Sequence, residues 1–346
     1  MLQNTQFSDG GGLSKGQFSH TFEEIISVEN LLLAWQEFVR GKRRKQDVQE
    51  FSLRLMDNIL AIHEDLAQQR YTHGGYYAFR ISDPKPRDIH KASVRDRVLH
   101  HAIYRILYPF FDRIFIADVY SCRVGKGLHK ALNRFRSFAY KVSKNHARTC
   151  WVLKCDIKKF FVSVDHKALL SLLAKHIRDE RILWLLQNVI ESFHATPGKG
   201  LPLGNLTSQL FCNIYLNEFD HYAKQVFKAR HYIRYGDDFV ILSGDREWLE
   251  KLISSIRDFL RNRLELELHP GKVSIKTFAS GVDFLGWVHF PDHRVLRRAT
   301  RRRMLRRIQE QPLLKICKSY LGLLQHGNAA HLQEELLNLY RLGSKV

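Results

Sequence analysis

The sequence predicts an α+β fold with helical ends, on three observations. Apolar residues recur at helical spacing through residues 21–70 and again over the last fifty or so positions. Between them, short β-type apolar runs alternate with helical stretches as far as Trp287. Two of those runs enclose a tight turn, the mark of an antiparallel hairpin. With 346 residues and 45% hydrophobic content, the chain can bury one large core or two to three smaller ones. It has no repeats and no low-complexity linker, so its parts are expected to pack as one unit.

Residues 1–20 are polar and glycine-rich, and read as a mobile tail without a secretory signal. Phe22 to Ile26, Val28 to Trp35 and Val48 to Leu66 carry helical periodicity, and Tyr76 to Ile81 reads as a strand. His100 and His101 lie in a helical stretch with no cysteine or second histidine pair at metal spacing, which argues against zinc. Trp151-Val-Leu-Lys-Cys-Asp156 is a strand that ends on a carboxylate, and Asp165 is placed to N-cap the helix that follows. Gly200 to Gln209 is a Gly/Pro loop in which Asn205, Thr207 and Ser208 can cap the helix running on through Leu210 to Asn217. His231 to Arg234 and Phe239 to Leu242 are the arms of the hairpin, with Tyr235-Gly236-Asp237-Asp238 between them. Arg294 to Arg307 reads as one arginine-rich helix, with Val295, Leu296, Met304 and Leu305 as a narrow apolar stripe. Leu332 to Tyr340 is an amphipathic helix.

Adjacent aspartates at a turn repel each other and resist burial. A chain keeps such a pair most readily when a divalent cation sits on it. Nucleotidyl transfer is one chemistry that needs this arrangement, because two Mg²⁺ ions must be clamped about 4 Å apart on oxygen ligands; a solvated acidic turn is the other reading of the pair. Asp156, at the end of its own strand, is the candidate third ligand.

These three segments, in this order and spacing, resemble the palm of reverse transcriptases. Asp156 falls in the first palm motif, Pro202-Leu-Gly-Asn-Leu-Thr-Ser-Gln209 in the second and Tyr235-Gly-Asp-Asp238 in the third. Lys85-Pro-Arg87-Asp-Ile89, Ser93 to Val98 and Ser121 to His129 look like fingers motifs of bacterial members. Leu266 to Lys272 looks like the segment that carries a lysine near the triphosphate, and Phe284-Leu285-Gly286-Trp287 like the primer-grip hairpin. The resemblance covers roughly residues 50–290.

It implies a right-hand polymerase with an antiparallel palm sheet and a helical thumb. N-terminal helices and fingers would take residues 21–150, the palm with its primer grip 151–290 and a basic thumb 291–346. Two Mg²⁺ ions, with Mn²⁺ as a substitute, would be bound by Asp156, Asp237 and Asp238, with Ile157 counted in the metal set. The catalytic set is Asp156, Asp237 and Asp238. Lys85, Arg87, Phe161, Pro202, Leu203, Gly204, Gln209 and Lys272 would line the deoxynucleotide site, although Arg95, Arg97 and Arg123 are also available from the fingers. Arg297, Arg298, Arg301 and Arg302 would grip the template–primer duplex. Phe161 lies where the family closes off space beneath the sugar, against a 2′-OH, whereas viral RNA-dependent RNA polymerases usually carry a second Asp there.

Leu203 replaces a glutamine usual in retroviral and group II intron enzymes, and the loop around it looks like that of diversity-generating retroelements. That branch implies error-prone copying of a structured template RNA with a small basic accessory protein. A phage-defence reverse transcriptase is the alternative, and a non-catalytic RNA-binding scaffold is disfavoured by the intact carboxylate set. No maturase extension, HNH-type endonuclease, RNase H set or retron Val-Thr-Gly signature is evident.

A net charge of +20 favours a polyanionic partner. Arginine at the density of residues 294–307 suits a phosphate backbone, because the planar guanidinium engages two oxygens at once. Arg40-Gly-Lys42-Arg-Arg-Lys45 is either a second template contact or a solvated run. Five cysteines without CxxC pairing fit a reducing cytoplasm, bacterial or phage-encoded by the resemblance; Cys150 and Cys155 read as core residues. No apolar run is long enough to span a membrane.

Overall fold

A computed structural model describes residues 17–82 and 86–343. In chain order the first elements are α1 (Phe22–Ile26), α2 (Val28–Phe38), α3 (Gln46–Leu53), α4 (Leu55–Ala67), β1 (Tyr76–Ile81), β2 (Arg87–Ala92), α5 (Val94–Ile114) and α6 (Leu128–Val142). Then follow β3 (Trp151–Asp156), α7 (Phe160–Ser163), α8 (His166–Ala174), α9 (Glu180–Glu191), α10 (Leu206–Gln225), β4 (Tyr232–Tyr235), β5 (Asp238–Ser243) and α11 (Arg246–Leu264). The last are β6 (Ser274–Thr277), β7 (Val282–Phe284), β8 (Trp287–His289), β9 (Arg294–Leu296), α12 (Arg298–Glu310), α13 (Leu314–Leu324) and α14 (Ala330–Gly343). Helices and antiparallel sheets together make the expected α+β class.

The chain divides into two compact units. Of the described residues, one takes those up to Gly75, those within Ala92–Ile114 and those within His166–Phe193; the other takes those within Tyr76–Lys91, those within Phe115–Asp165 and those from His194 on. The first unit is helical. Its short N-terminal helices are set by caps: Thr21 accepts from the Glu24 N–H (3.3 Å) and Ser27 from the Asn30 N–H (3.1 Å). Ile25, Leu31, Ile59, Ile62, Leu66 and Leu99 bury the apolar stripes of α1, α2, α4 and α5. The helix expected over Val48–Leu66 is broken at Arg54 into α3 and α4. The expected mobile tail falls largely outside the described residues. Of its last residues, Phe18 is buried, stacks edge-on against Phe110 and donates its N–H to the His176 carbonyl (3.2 Å).

The second unit is built on a four-stranded antiparallel sheet in the order β4-β5-β3-β6. Its two inner strands, β3 and β5, are buried along nearly their whole length, so both sheet faces must be covered. On one face Phe135 and Phe138 of α6 pack with Val152, Val240 and Leu242. On the other, Phe219 of α10 meets Phe239 and Phe259. A second sheet, β7-β8-β9, continues the chain into a C-terminal cluster where Trp287, Met304, Ile308, Leu324 and Leu336 are buried.

The arginine-rich segment differs from its sequence reading. Arg294–Leu296 forms strand β9 against β8, and the helix begins only at Arg298. The β-branched Val295 and the register Trp287↔Leu296 extend the hairpin by one strand before helical periodicity takes over. Met304 and Ile308, four residues apart, then bury the inner face of α12.

Candidate active site

The β3–β5 register sets Asp156 opposite Asp238, and the β4–β5 register pairs Tyr235 with Asp238. This leaves Gly236-Asp237 as a two-residue turn, with Gly236 at φ +65°, where a side chain is disfavoured. Two hydrogen bonds pin that turn. Arg234 Nη1 donates to the Gly236 carbonyl (3.0 Å) and the Ile157 N–H donates to the Asp237 carbonyl (3.3 Å). Asp156 is 7% exposed; its Oδ1 accepts from Lys272 Nζ at 2.7 Å, and its backbone carbonyl accepts from the His269 N–H (2.8 Å). The latter bond anchors the Pro270–Lys272 turn that carries the lysine.

Burial raises the pKa of Asp237, and the charge of Asp156 raises it further, against the lowering effect of Lys272 and Arg87. Asp238 is pushed up to about 6, chiefly by burial; the charge of Lys154 pulls it down, while those of Asp156 and Asp237 push it up. A cation with hard oxygen preference relieves this crowding. Among the described residues, no three His, Cys, Asp or Glu side chains form a metal cage by themselves. Mg²⁺ takes hard oxygen ligands and is usually bound through one or two carboxylates, with water and substrate phosphates completing its shell. Asp156, Asp237 and Asp238 therefore fit the ion by donor chemistry. Ile157 offers only backbone, because its side chain is apolar and buried.

On the substrate side, Phe160 enters the core while Phe161 stays half-buried, its carbonyl accepting from the Leu201 N–H (2.7 Å). Pro202 is buried, Leu203 half-buried, and Gly204 and Gln209 are exposed. The Leu203 carbonyl accepts from the His90 N–H (2.9 Å), and Asn205 Nδ2 donates back to the His90 carbonyl (3.0 Å). Asn205 thus holds the N-cap position of α10 without capping it; its side-chain amide ties the loop to β2 instead. Gly204 sits at φ +108° and a Cβ there would stand 2.8 Å from Ile89 Cγ2, so this loop runs too close to β2 for any side chain. Arg87 is exposed on β2; Lys85 lies outside the described residues. Asp165 sits just before α8, as an N-cap would, and its N–H donates to Tyr215 Oη (3.3 Å).

Of the other arginines considered for the triphosphate, Arg95 and Arg97 pair with Asp65 and Asp47, and Arg123 donates to the Ile116 carbonyl. In the proposed primer grip, Phe284 and Trp287 are 0% and 1% exposed and serve the two apolar clusters, and Leu285 in the turn between them is half-buried against both. Arg297 pairs with Asp283, and Arg301 with Glu335 at 2.8 Å. Arg298 and Arg302 are exposed on α12.

The family described as reverse transcriptase (RNA-dependent DNA polymerase) matches residues 82–289, more than half of the chain, including Asp156, Asp237 and Asp238. The chain belongs to the reverse transcriptase family. It is 27% identical over 258 residues to protein YkfC of Escherichia coli K12, a match covering 64% of this chain and 66% of YkfC. It is 22% identical over 296 residues to the group II intron-encoded protein LtrA of Lactococcus lactis, covering 66% of this chain and 47% of LtrA. The chain thus spans less than two thirds of these relatives. Among solved structures, apo telomerase from Candida tropicalis aligns with a TM-score of 0.49 at 13% identity, covering 63% of this chain and 53% of that one.

For this reverse transcriptase-family chain, sequence reading missed two groups around the carboxylates. Lys154, two residues before Asp156 on β3, acts on Asp238 and donates its Nζ to the Asp283 carbonyl (2.9 Å). Its alternation with Asp156 was the available signal. Arg234 lies fully buried beneath the turn. A charged residue inside an apolar β-run announces a buried partner, but the sequence does not say which one.

Proposed function

We propose that this protein synthesises DNA on an RNA template by two-metal nucleotidyl transfer. The observation carrying this reading is the pairing of Asp156, at the end of β3, with Asp238, at the start of β5, beside Asp237 in the adjoining turn, the latter two with raised pKa values. Mg²⁺ held there by Asp156 and Asp237, with Asp238 adding charge, would favour ionisation of the primer 3′-OH and stabilise the leaving pyrophosphate. The 3′-oxygen would bond to the α-phosphorus as the α–β bond breaks, and Lys272 would give the pyrophosphate a proton. Arg87, with Lys85 near it in sequence, supplies fixed positive charge for the triphosphate. Phe161 excludes the 2′-OH, so deoxynucleotides are the substrates. Arg298 and Arg302 contact the duplex backbone.

The template is a retroelement RNA copied with errors, as in diversity-generating systems. Leu203 supports this finer reading, because an aliphatic side chain offers the nascent pair only dispersion where glutamine offers a hydrogen bond. One neutral hydrogen bond is worth about 0.5–1.5 kcal/mol, or roughly 2- to 13-fold in discrimination. Leu203→Gln is therefore expected to lower misincorporation by that order; equal fidelity in both proteins would remove the reading's support.

The test is primer extension on an adenine-containing RNA with Mg²⁺ and deoxynucleotides, with sequencing of the products. Asp237→Asn is expected to abolish synthesis while RNA binding stays near wild type. Substantial residual synthesis refutes the carboxylate assignment, and accurate or untemplated DNA from the wild type moves the reading to a phage-defence enzyme.

A further inference from the structure

The carboxylate turn rests on a buried polar assembly that has no part in the chemistry above. Asn213 and Asp220 are seven residues apart on α10 and so share a helix face; Tyr232 and Arg234 are two apart on β4 and share a strand face. Where these faces meet, Arg234 Nε and Nη2 donate to the two Asp220 oxygens (2.8 and 2.6 Å), and Tyr232 Oη donates to Asp220 Oδ1 (2.6 Å). Arg234 Nη1 donates both to Asn213 Oδ1 (3.1 Å) and to the Gly236 carbonyl (3.0 Å). Asn213 Nδ2 is itself tied to the Ser121 carbonyl (3.0 Å). The Arg234 and Asp220 side chains are 1% and 0% exposed.

A buried pair of this kind is weak evidence for stability, since apolar residues of similar volume often do as well. What this pair does that apolar residues cannot is hold one particular carbonyl. The Gly236 carbonyl belongs to the peptide whose nitrogen is that of Asp237. The next carbonyl, that of Asp237, is held by the Ile157 N–H, adjacent to Asp156. Consecutive peptide planes on either side of Asp237 are thus each fixed, one from the α10 side through Arg234 and one from β3.

We infer that Arg234 is a positioning residue that, anchored by Asp220 and Asn213, clamps the Gly236 carbonyl and so sets Asp237 at the separation from Asp156 that a divalent cation requires. The inference rests on the function proposed above and assigns it a structural determinant on α10 and β4. Arg234 touches neither metal nor substrate in this role. Lysine in its place keeps a positive charge for Asp220 but cannot serve Asp220, Asn213 and Gly236 together, because it lacks the planar fork.

The experiment compares full-length wild type and Arg234→Lys by three readouts: Mn²⁺ binding by electron paramagnetic resonance, the Mg²⁺ concentration giving half-maximal primer extension, and thermal unfolding. The clamp predicts weaker Mn²⁺ binding and a higher Mg²⁺ requirement by a factor of roughly ten, what one hydrogen bond from a charged donor typically contributes. The KM for deoxynucleotide at saturating Mg²⁺ is expected to stay near wild type. If Arg234→Lys does not fold, Asn213→Ala keeps the Arg234–Asp220 pair and is expected to shift the metal readouts in the same direction by a smaller factor. A folded variant of either kind with wild-type Mn²⁺ affinity and Mg²⁺ requirement overturns the clamp. A wild type that binds Mn²⁺ but makes no DNA overturns the functional reading alone, and the Mn²⁺ comparison still decides the clamp. A wild type that binds no Mn²⁺ overturns both.

Discussion

Phe160 and Phe161 are neighbours of identical chemistry put to different uses. Phe160 is 3% exposed and serves the core, while Phe161 keeps part of its ring at the surface next to the Leu201–Leu203 loop, held there by its carbonyl bond to the Leu201 N–H. A ring so placed, edge-on to that of Phe160, can bar a 2′-OH. A steric penalty of about 2 kcal/mol corresponds to roughly thirty-fold discrimination. Phe161→Ala is expected to reduce the preference for deoxy- over ribonucleotides by that order, measured as the ratio of kcat/KM values, with thermal stability little changed. Unaltered sugar selectivity would return Phe161 to a packing role. Lys272 has the opposite character: its position depends on a turn of only three residues, and its bond to Asp156 follows from that turn's anchoring by His269.

Among the elements, helix α5 is the clearest case of a feature that sequence pattern could not resolve. His100 and His101 read as a helical pair without metal partners, and the fold sets the ring of His73 against the first of them. His73 Nε2 and His100 Nε2 are 3.1 Å apart with stacked rings, while Asp96 accepts from Tyr71 Oη (2.7 Å), Ser93 Oγ (2.6 Å) and the Gly74 N–H (3.1 Å). Burial, followed by the charge of His73, pushes the pKa of His100 down to about 3. That folded value lies below the unfolded one of about 6.5, so the unfolded chain takes the proton first. The contribution is complete above pH 6.5 and is lost as the pH falls toward 3. Between pH 6.5 and 5 this amounts to about 2 kcal/mol, at 1.36 kcal/mol per unit. Urea unfolding of wild type and His100→Gln at several pH values checks it: the variant's stability should fall less steeply over that interval, and parallel slopes would disprove the assignment.

For the whole molecule, the dominant quantity is charge. A surplus of twenty positive charges on 346 residues is carried partly by side chains already paired within the fold, such as Arg297 and Arg301, and partly by exposed ones such as Arg298 and Arg302. Only the latter release counterions cleanly from a nucleic acid. RNA affinity is expected to fall linearly in log–log terms with salt, each phosphate contact contributing a slope of about 0.7–0.9. The double variant Arg298→Ala/Arg302→Ala should lower the slope by roughly 1.4 to 1.8, whereas Arg301→Ala alone should change it little. Equal slopes for the double variant and wild type would show that α12 does not touch the duplex.

Much of this was legible in one dimension. The strand ending at Asp156, the hairpin around Asp237 and Asp238, the Gly/Pro loop preceding a helix and the Phe284–Trp287 hairpin each carry local signals: period-two apolar runs, turn residues and glycines at positive φ. Those signals are local because backbone conformation over four to ten residues depends mainly on the residues themselves. They determined the α+β class, the carboxylate set and the family resemblance. Tertiary structure alone decided which charges are spent internally. Arg234 finds Asp220 fourteen residues away and Lys154 finds Asp283 across 129, while Arg297 pairs with Asp283. It also started the arginine-rich helix late, turning Arg294–Leu296 into a strand, and turned Asn205 from a cap into a tie to β2. The physical reason is common to all of these. A buried polar group must find a partner wherever the packed elements supply one, and no local pattern records which element that will be.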